Sequence, residues 1–427
     1  MVTAPARPDA DTDQDAAPEP EGAPRHPLEG PVDTVHAFWL AGMSCDGCSI
    51  AATGATNPSV EDLLNGTISG LPRVILHHPV LSLAAGEEFI EPFDQAERGE
   101  LDAPFVVVYE GSIADERIAW ESGGYWSAMG NHAIEDAEHE VPYPTSTRLR
   151  NMSKNAAAVV AIGTCATWGG VPSAIGNPTS AMSVMDYLGE GYRSALGLPV
   201  INIPGCAPVG DNFTETIAGI LYFLQGLGPL PEFDELGRPA WLFSETVHRG
   251  CTRAGYYEEG VFAECYGDPE CLVEVGCWGP VVNCNIVSRG AQSHMGGCMA
   301  AGGPCIGCTM PGFPDRFAPF YKTPPGSALS SNASRTLGFG MRRLRSLTNK
   351  YANQETRWET VDHGNVPSGW GKVDKPAGVE KVMHFFYEKM QFQGSRKPGR
   401  DGSRKWGTDV EPNRTRPAPK HEDDTER

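Results

Sequence analysis

Apolar runs without polar alternation recur through the first half of the chain, and each ends in a Gly, Ser, Cys or Pro turn. They are "TVHAFWLAG" (34–42), "PRVILHHPVL" (72–81), "PFVVVYEGSI" (104–113), "AAAVVAIGTCA" (156–166) and "LPVINIPGCA" (198–207). Runs of this kind predict strands of a parallel sheet covered on both faces. Helical stretches fall between and after them. "TSAMSVMDYLG" (179–189) is one; "DNFTETIAGILYFLQGLG" (211–228) is another, with Asp211 as the expected N-cap and a Gly stop. The pattern predicts an open, doubly wound α/β domain over 33–230. Ligands of such sheets bind beyond the carboxyl ends of the strands.

The flanks read differently. Residues 1–32 are Ala, Pro, Asp and Glu without a period, the pattern of a disordered leader. Residues 231–320 are rich in Gly and Cys with little strand or helix pattern, so this segment is expected to fold around bound metal. Residues 321–427 form a polar extension. It holds a basic patch, "RTLGFGMRRLR" (335–345), and an amphipathic helix pattern, "VEKVMHFFYEKM" (379–390), whose default partner is its own chain.

Composition narrows the function. The formal net charge of −20 over 427 residues excludes a general nucleic-acid binder, which needs a basic footprint. No stretch approaches the roughly 20 apolar residues of a membrane span. The first thirty residues show no apolar signal core and no twin arginine near Met1. A cytoplasmic location is the expectation, with peripheral membrane association through a partner as its extension. Twelve cysteines in such a compartment point to metal rather than disulfides.

Their positions sharpen this. Cys45 and Cys48 follow the first strand, Cys165 ends the fourth and Cys206 ends the fifth, so one sheet edge gathers four thiols. Glu110 ends the strand between. A second four-ligand set is His248, Cys251, Cys271 and Cys277. A third is Cys284, Cys298, Cys305 and Cys308, which leaves Cys265 over. Four soft ligands suit structural zinc or an iron–sulfur cluster. Zinc usually takes two short-spaced pairs, whereas the first set has one pair and two remote thiols. Spacing therefore favours iron–sulfur and leaves both open. Nickel shared between the Cys45–Cys48 and Cys305–Cys308 pairs is disfavoured, because neither pair has flanking basic and Asp-Pro residues and each has nearer partners.

The motifs "CDGCS", "EGSI", "GTCATWGG" (163–170), "NIPGCAPVGDNF" (202–213), "HRGC", "CLVEVGCWGP" (271–280) and "PCIGCTMPGFPD" (304–315) together resemble the small subunit of [NiFe] hydrogenases, over about 34–318. The resemblance implies a flavodoxin-like domain with a proximal cluster and an irregular domain with medial and distal clusters. It also implies an obligate large subunit holding the NiFe(CN)2CO centre, so that no catalytic residue lies on this chain. Carried over, Cys45, Cys48, Cys165 and Cys206 are proximal ligands, Cys284, Cys305 and Cys308 medial ligands, and His248, Cys251, Cys271 and Cys277 distal ligands. Many family members have proline where this chain has Cys298. A fourth medial thiol permits [4Fe–4S], making three such clusters.

The departures are most like the actinobacterial-type, oxygen-insensitive uptake hydrogenases. A higher oligomer of heterodimers is implied, with an acceptor protein or a quinone-linked partner. One oxygen-tolerant group carries two extra proximal cysteines; here Gly47 occupies the first of those positions. Asp46 has two readings, an alternative iron ligand or a hydrogen-bonded loop carboxylate. Trp39, Met43, Trp168 and Pro208 flank the proximal ligands, as partner contacts or as core. Asp211 and Asn212 either aim helix N–H groups at the cluster or simply cap the helix. Two other functions remain in view: the iron–sulfur subunit of a complex I-like quinone reductase, which lacks a second cysteine domain, and a zinc-binding scaffold.

Overall fold

The computed structural model describes residues 31–317, apart from 122–124, 133–139, 175–176, 190, 264 and 316. Most of the leader, the extension from 321, the basic patch at 335–345 and the 379–390 helix pattern lie outside the described residues.

The strands are β1 (Thr34–Ala41), β2 (Arg73–His77), β3 (Phe105–Glu110), β4 (Ala128–His132), β5 (Val141–Pro144), β6 (Ala158–Ile162) and β7 (Ile201–Ile203). Five of them form one sheet in the order β2-β1-β3-β6-β7, and every pairing in it is parallel. Leaving out the antiparallel β4–β5 pair, this is the flavodoxin-like order, whose switch point lies between β1 and β3.

The helices are α1 (Gly47–Thr53), α2 (Val60–Asn65), α3 (Glu87–Arg98), α4 (Glu116–Glu121), α5 (Thr145–Met152), α6 (Gly163–Trp168), α7 (Val184–Leu188), α8 (Gly210–Leu224), α9 (Val247–Gly250), α10 (Ala254–Glu259) and α11 (Ile286–Arg289). Both sheet faces are covered, which is why the strand sequences do not alternate. Phe38, Leu40, Val107, Tyr109 and Val159 pack on one face with Phe93 of α3 and Leu149 and Met152 of α5. Val35, Trp39, Val106, Val108 and Val160 pack on the other with Leu63 of α2 and Phe213, Ile217 and Ile220 of α8.

Two expectations are corrected, and a third question gains an observation. Asp211 is not the N-cap of α8: that place is taken by Val209, and Asp211 lies inside the first turn. Its carboxylate instead accepts the N–H groups of Thr56 and Asn57, at 2.7 and 3.1 Å, and ties the loop after α1 to α8. The 179–189 helix contracts to α7, because Ser183 caps it by accepting the Asp186 N–H. Trp39, Trp168 and Pro208 are buried in this chain's own core, while Met43 is half-buried.

The segment after 240 has a small core of its own: Val247, Val281, Val282, Met310, Phe313 and Phe317 with the buried Cys305. It is locked to α8. Asn212 and Asn285 exchange amide hydrogen bonds at 2.9 and 2.8 Å. Arg289 pairs with Glu215, which is fully buried and also accepts the Trp241 Nε1–H at 2.7 Å. A buried charge is tolerated only when paired in this way.

Candidate metal centres

The first centre is built at the switch point. β1 runs into Gly42, where a Cβ would meet the Tyr109 hydroxyl at 2.4 Å, so only glycine lets the chain leave the strand here. Cys45 follows, then Asp46 in the left-handed region at φ 59, then α1. Glu110, at the end of β3 and 1% exposed, organises this turn. It accepts the Cys48 N–H at 3.0 Å, the Trp39 Nε1–H at 2.9 Å and the Ser49 hydroxyl. The Ser49 hydroxyl also meets His78 Nε2 at 2.9 Å. Sequence reasoning placed Glu110 at the edge; the structure gives it the task of holding the Cys48 loop.

Cys165, expected to end its strand, lies on α6, three residues past the end of β6, and Cys206 follows β7 by three residues. Burial pushes the Cys48 thiol far up, and repulsion from Glu110, Cys165, Cys45 and Cys206 adds to it. The Cys165 thiol is pushed up to about 12, mainly by burial and then by Cys206. The four thiols are therefore within electrostatic reach of one another. Two glycines clear the space. At Gly163, φ +83, a Cβ would lie 2.2 Å from the Cys48 sulfur; at Gly170, φ +59, it would lie 2.8 Å from that of Cys165. Asp46 caps nothing: its side chain makes no hydrogen bond to α1 and stands exposed.

The second set gathers beside the first. Burial pushes Cys308 up, with repulsion from Cys284, Cys298 and Cys206. Cys284 is pushed up to about 12 by burial, with Cys298 adding to it. Cys305 is raised by burial and then by Cys277, Cys308 and Cys284. In the third set, Cys271 is pushed up to about 12 by burial, with Cys277 and Cys251 adding to it. His248 lies on α9 three residues before Cys251, and its ring meets Tyr257 edge-on at 4.7 Å. Cys265 stays outside all three sets, exposed, with its N–H on Asp268.

Neighbouring sets touch. Cys308 feels Cys206 of the first set, and the Cys305 N–H donates to the Cys277 sulfur of the third at 3.3 Å. The thiols that act on Cys48 are Cys165, Cys45 and Cys206, whereas those that act on Cys305 are Cys277, Cys308 and Cys284.

Buried, mutually repelling thiols ionise only where a cationic core offsets their charge. Among the described residues, no three of His, Cys, Asp and Glu come close enough to share a single ion. Sets of four soft donors are the kind that hold a zinc ion or an iron–sulfur cluster.

Comparison with known proteins agrees with this geometry. Residues 243–321 match the family described as the C-terminal part of the NiFe/NiFeSe hydrogenase small subunit. Residues 45–220 match NADH ubiquinone oxidoreductase, 20 Kd subunit. The periplasmic [NiFeSe] hydrogenase small subunit of Desulfomicrobium baculatum is 31% identical over 70% of this chain and 88% of its own length. The chain belongs to the family of [NiFe] hydrogenase small subunits. The quinone-reactive Ni/Fe-hydrogenase small chain of Wolinella succinogenes is also 31% identical, over 72% of this chain and 79% of its own. The solved actinobacterial-type NiFe-hydrogenase from Ralstonia eutropha superposes with a TM-score of 0.68 at 50% identity, covering 77% of this chain and 93% of that one. The quinone-reductase likeness of the α/β domain is real but partial. The hydrogenase match continues through the second and third cysteine sets.

Proposed function

We propose that this chain is the electron-transfer subunit of a [NiFe] uptake hydrogenase, relaying electrons from hydrogen oxidation in a large partner subunit to an external acceptor. The observation that supports it is the succession of three soft-donor sets, each in contact with the next. Cys45, Cys48, Cys165 and Cys206 would hold a proximal cluster. Cys284, Cys298, Cys305 and Cys308 would hold a medial one, and His248, Cys251, Cys271 and Cys277 a distal one. Each [4Fe–4S] cluster, when bound, supplies a one-electron couple whose potential its surroundings set.

The chain's own residues divide the remaining work. Glu110 fixes the Cys48 loop, and Gly163 and Gly170 keep space beside the thiols. His248, a neutral ligand, removes one negative charge from its set and favours the reduced form, as histidine does in Rieske centres. Asp46 is free to serve as an alternative proximal ligand, in which case Asp46→Asn changes the proximal EPR spectrum. Cys45 and Cys206 are exposed, and so are Ile50 and Val171, which follow Cys48 and Cys165 closely in the chain, at 71% and 55% exposure; this fits a large apolar partner interface.

The proposal extends to a NiFe(CN)2CO centre on that partner, a higher oligomer of heterodimers and a cytoplasmic location with a protein or quinone-linked acceptor. It includes oxygen tolerance without extra proximal cysteines. No helix among the described residues is long and apolar enough to cross a membrane. Metal and sulfide analysis of the purified complex tests the core of the reading. About twelve iron and twelve sulfide per chain are expected for three [4Fe–4S] clusters, with nickel in a co-purifying partner and hydrogen-dependent dye reduction. Zinc in place of iron sinks it.

A further inference from the structure

The third set contains a cation that the ligand assignment does not use. Arg253 follows Cys251 by two residues, and its backbone N–H donates to the Cys251 sulfur at 3.4 Å. Its Nη1 is buried and has no hydrogen-bond partner. Buried guanidinium donors are almost always satisfied, so an orphan of this kind calls for an acceptor. Among the described residues no ion pair to Arg253 forms. Yet residues 254–288 carry six acidic residues and no Lys or Arg. The guanidinium charge falls instead on Cys271 and Cys277, the two thiols of the set that its backbone does not touch.

The helix that follows Arg253 completes the picture. One turn along α10, Tyr257 donates its N–H to the Arg253 carbonyl and sets its ring edge-on against His248. Tyr257 also meets Phe262, which forms an isolated parallel β-bridge with Cys271. One short helix thus brings a cation to the three thiols and an aromatic wall to the histidine.

We propose that Arg253 is the counter-charge of the distal cluster: its Nη1 donates to the anionic cluster and raises the cluster's reduction potential. Three thiolates leave the bound cluster negative, and reduction by one electron makes it more so. A neighbouring cation therefore stabilises the reduced form more than the oxidised form. A donor to ligand or cluster sulfur acts in the same direction. No bond is made or broken: one electron enters and one leaves. Arg253 is a positioning and tuning residue rather than a ligand. The inference rests on the distal-cluster reading above.

The test is an EPR-monitored redox titration of the purified heterodimer, with wild type beside Arg253→Gln, Arg253→Met and Arg253→Lys. The distal midpoint is expected to fall in the Gln and Met variants and to fall less in the Lys variant, which keeps the charge but not the fork. The proximal and medial midpoints stay in place. Should the neutral variants fail to retain the cluster, the Lys variant decides, and its midpoint must lie below wild type. An assembled distal cluster with the wild-type midpoint in every variant overturns the role of Arg253. A wild-type complex with no third cluster overturns the three-cluster reading itself, which is a separate result.

Discussion

Thr164 Oγ1 donates a 2.6 Å hydrogen bond to the carbonyl of Cys308 while accepting the Gly205 N–H at 3.1 Å. One buried hydroxyl therefore joins the loop of Cys206, in the first set, to that of Cys308, in the second. Thr164 is itself held there by its N–H on the Gly205 carbonyl at 3.0 Å.

Replacing Thr164 by Val keeps the volume and leaves a buried N–H and C=O without partners. The expected cost is about 1–3 kcal/mol, read as a lower thermal midpoint of the purified complex. Thr164→Ser restores most of it. Because the hydroxyl spans two sets, Thr164→Val should also alter the proximal and medial EPR signals together. A change confined to one of them would refute the bridging role.

Gly163→Ala tests the space around Cys48. The new Cβ would sit 2.2 Å from the Cys48 sulfur at a backbone angle that L residues avoid. The proximal set is expected to lose its cluster, and iron to fall by about four per chain, one [4Fe–4S] cluster's worth. Gly189→Ala is the control. It carries a similar φ of +93 with nothing within 4 Å, so it bears backbone strain alone and should retain full iron.

The sequence makes the first set legible because parallel strands deliver their carboxyl ends to one edge. Cys165 and Cys206 needed only their strand assignments to be brought to Cys45 and Cys48. The second and third sets were readable as ligand counts and motifs, but their adjacency was not: it depends on the Cys305 N–H meeting Cys277 across a loop. Asp211 looked like a cap because its side chain and place suit one. Its true partners, Thr56 and Asn57, lie over 150 residues away and leave no local trace. Arg253 was invisible for a similar reason, since an arginine beside a cysteine has no sequence feature that reports an unpaired nitrogen.

A pH effect arises between β1 and β2. His36 and His77, on neighbouring strands, share a 2.9 Å Nδ1···Nε2 contact and stack at 5.2 Å. Burial lowers both; His77 is pulled down to about 4, with repulsion from His36 adding to it, while Asp102 partly offsets the effect on His36. Folded-state values below the unfolded value of about 6.5 mean that the unfolded chain takes up protons first. The contribution to stability is whole above that pH and is lost as pH falls towards 4. Thermal midpoints measured between these limits should drop with acidity in wild type. They should drop less in His77→Phe, whose ring replaces one that already stacks on Phe38 at 4.5 Å. Equal slopes would show that the pair does not titrate with folding.

On the proposed ligand assignment, Cys298 sets the nuclearity of the medial centre. Cys284 and Cys308 are half-buried and Cys305 is buried, whereas Cys298 is exposed in a turn closed by the Gly303 N–H on its own carbonyl at 2.8 Å. The turn brings the thiol to the set, since Cys284 and Cys308 both feel it. Removing the thiol leaves three ligands, so one iron of a cuboidal cluster loses its protein anchor. Cys298→Ala is therefore expected to lose about one iron per chain and to show an oxidised three-iron EPR signal absent from wild type, which keeps the fourth anchor. The fold should hold, because the side chain contributes little to the Phe313–Phe317 core. An intact four-iron medial cluster in Cys298→Ala would remove Cys298 from the ligand set and point to a non-thiolate fourth ligand.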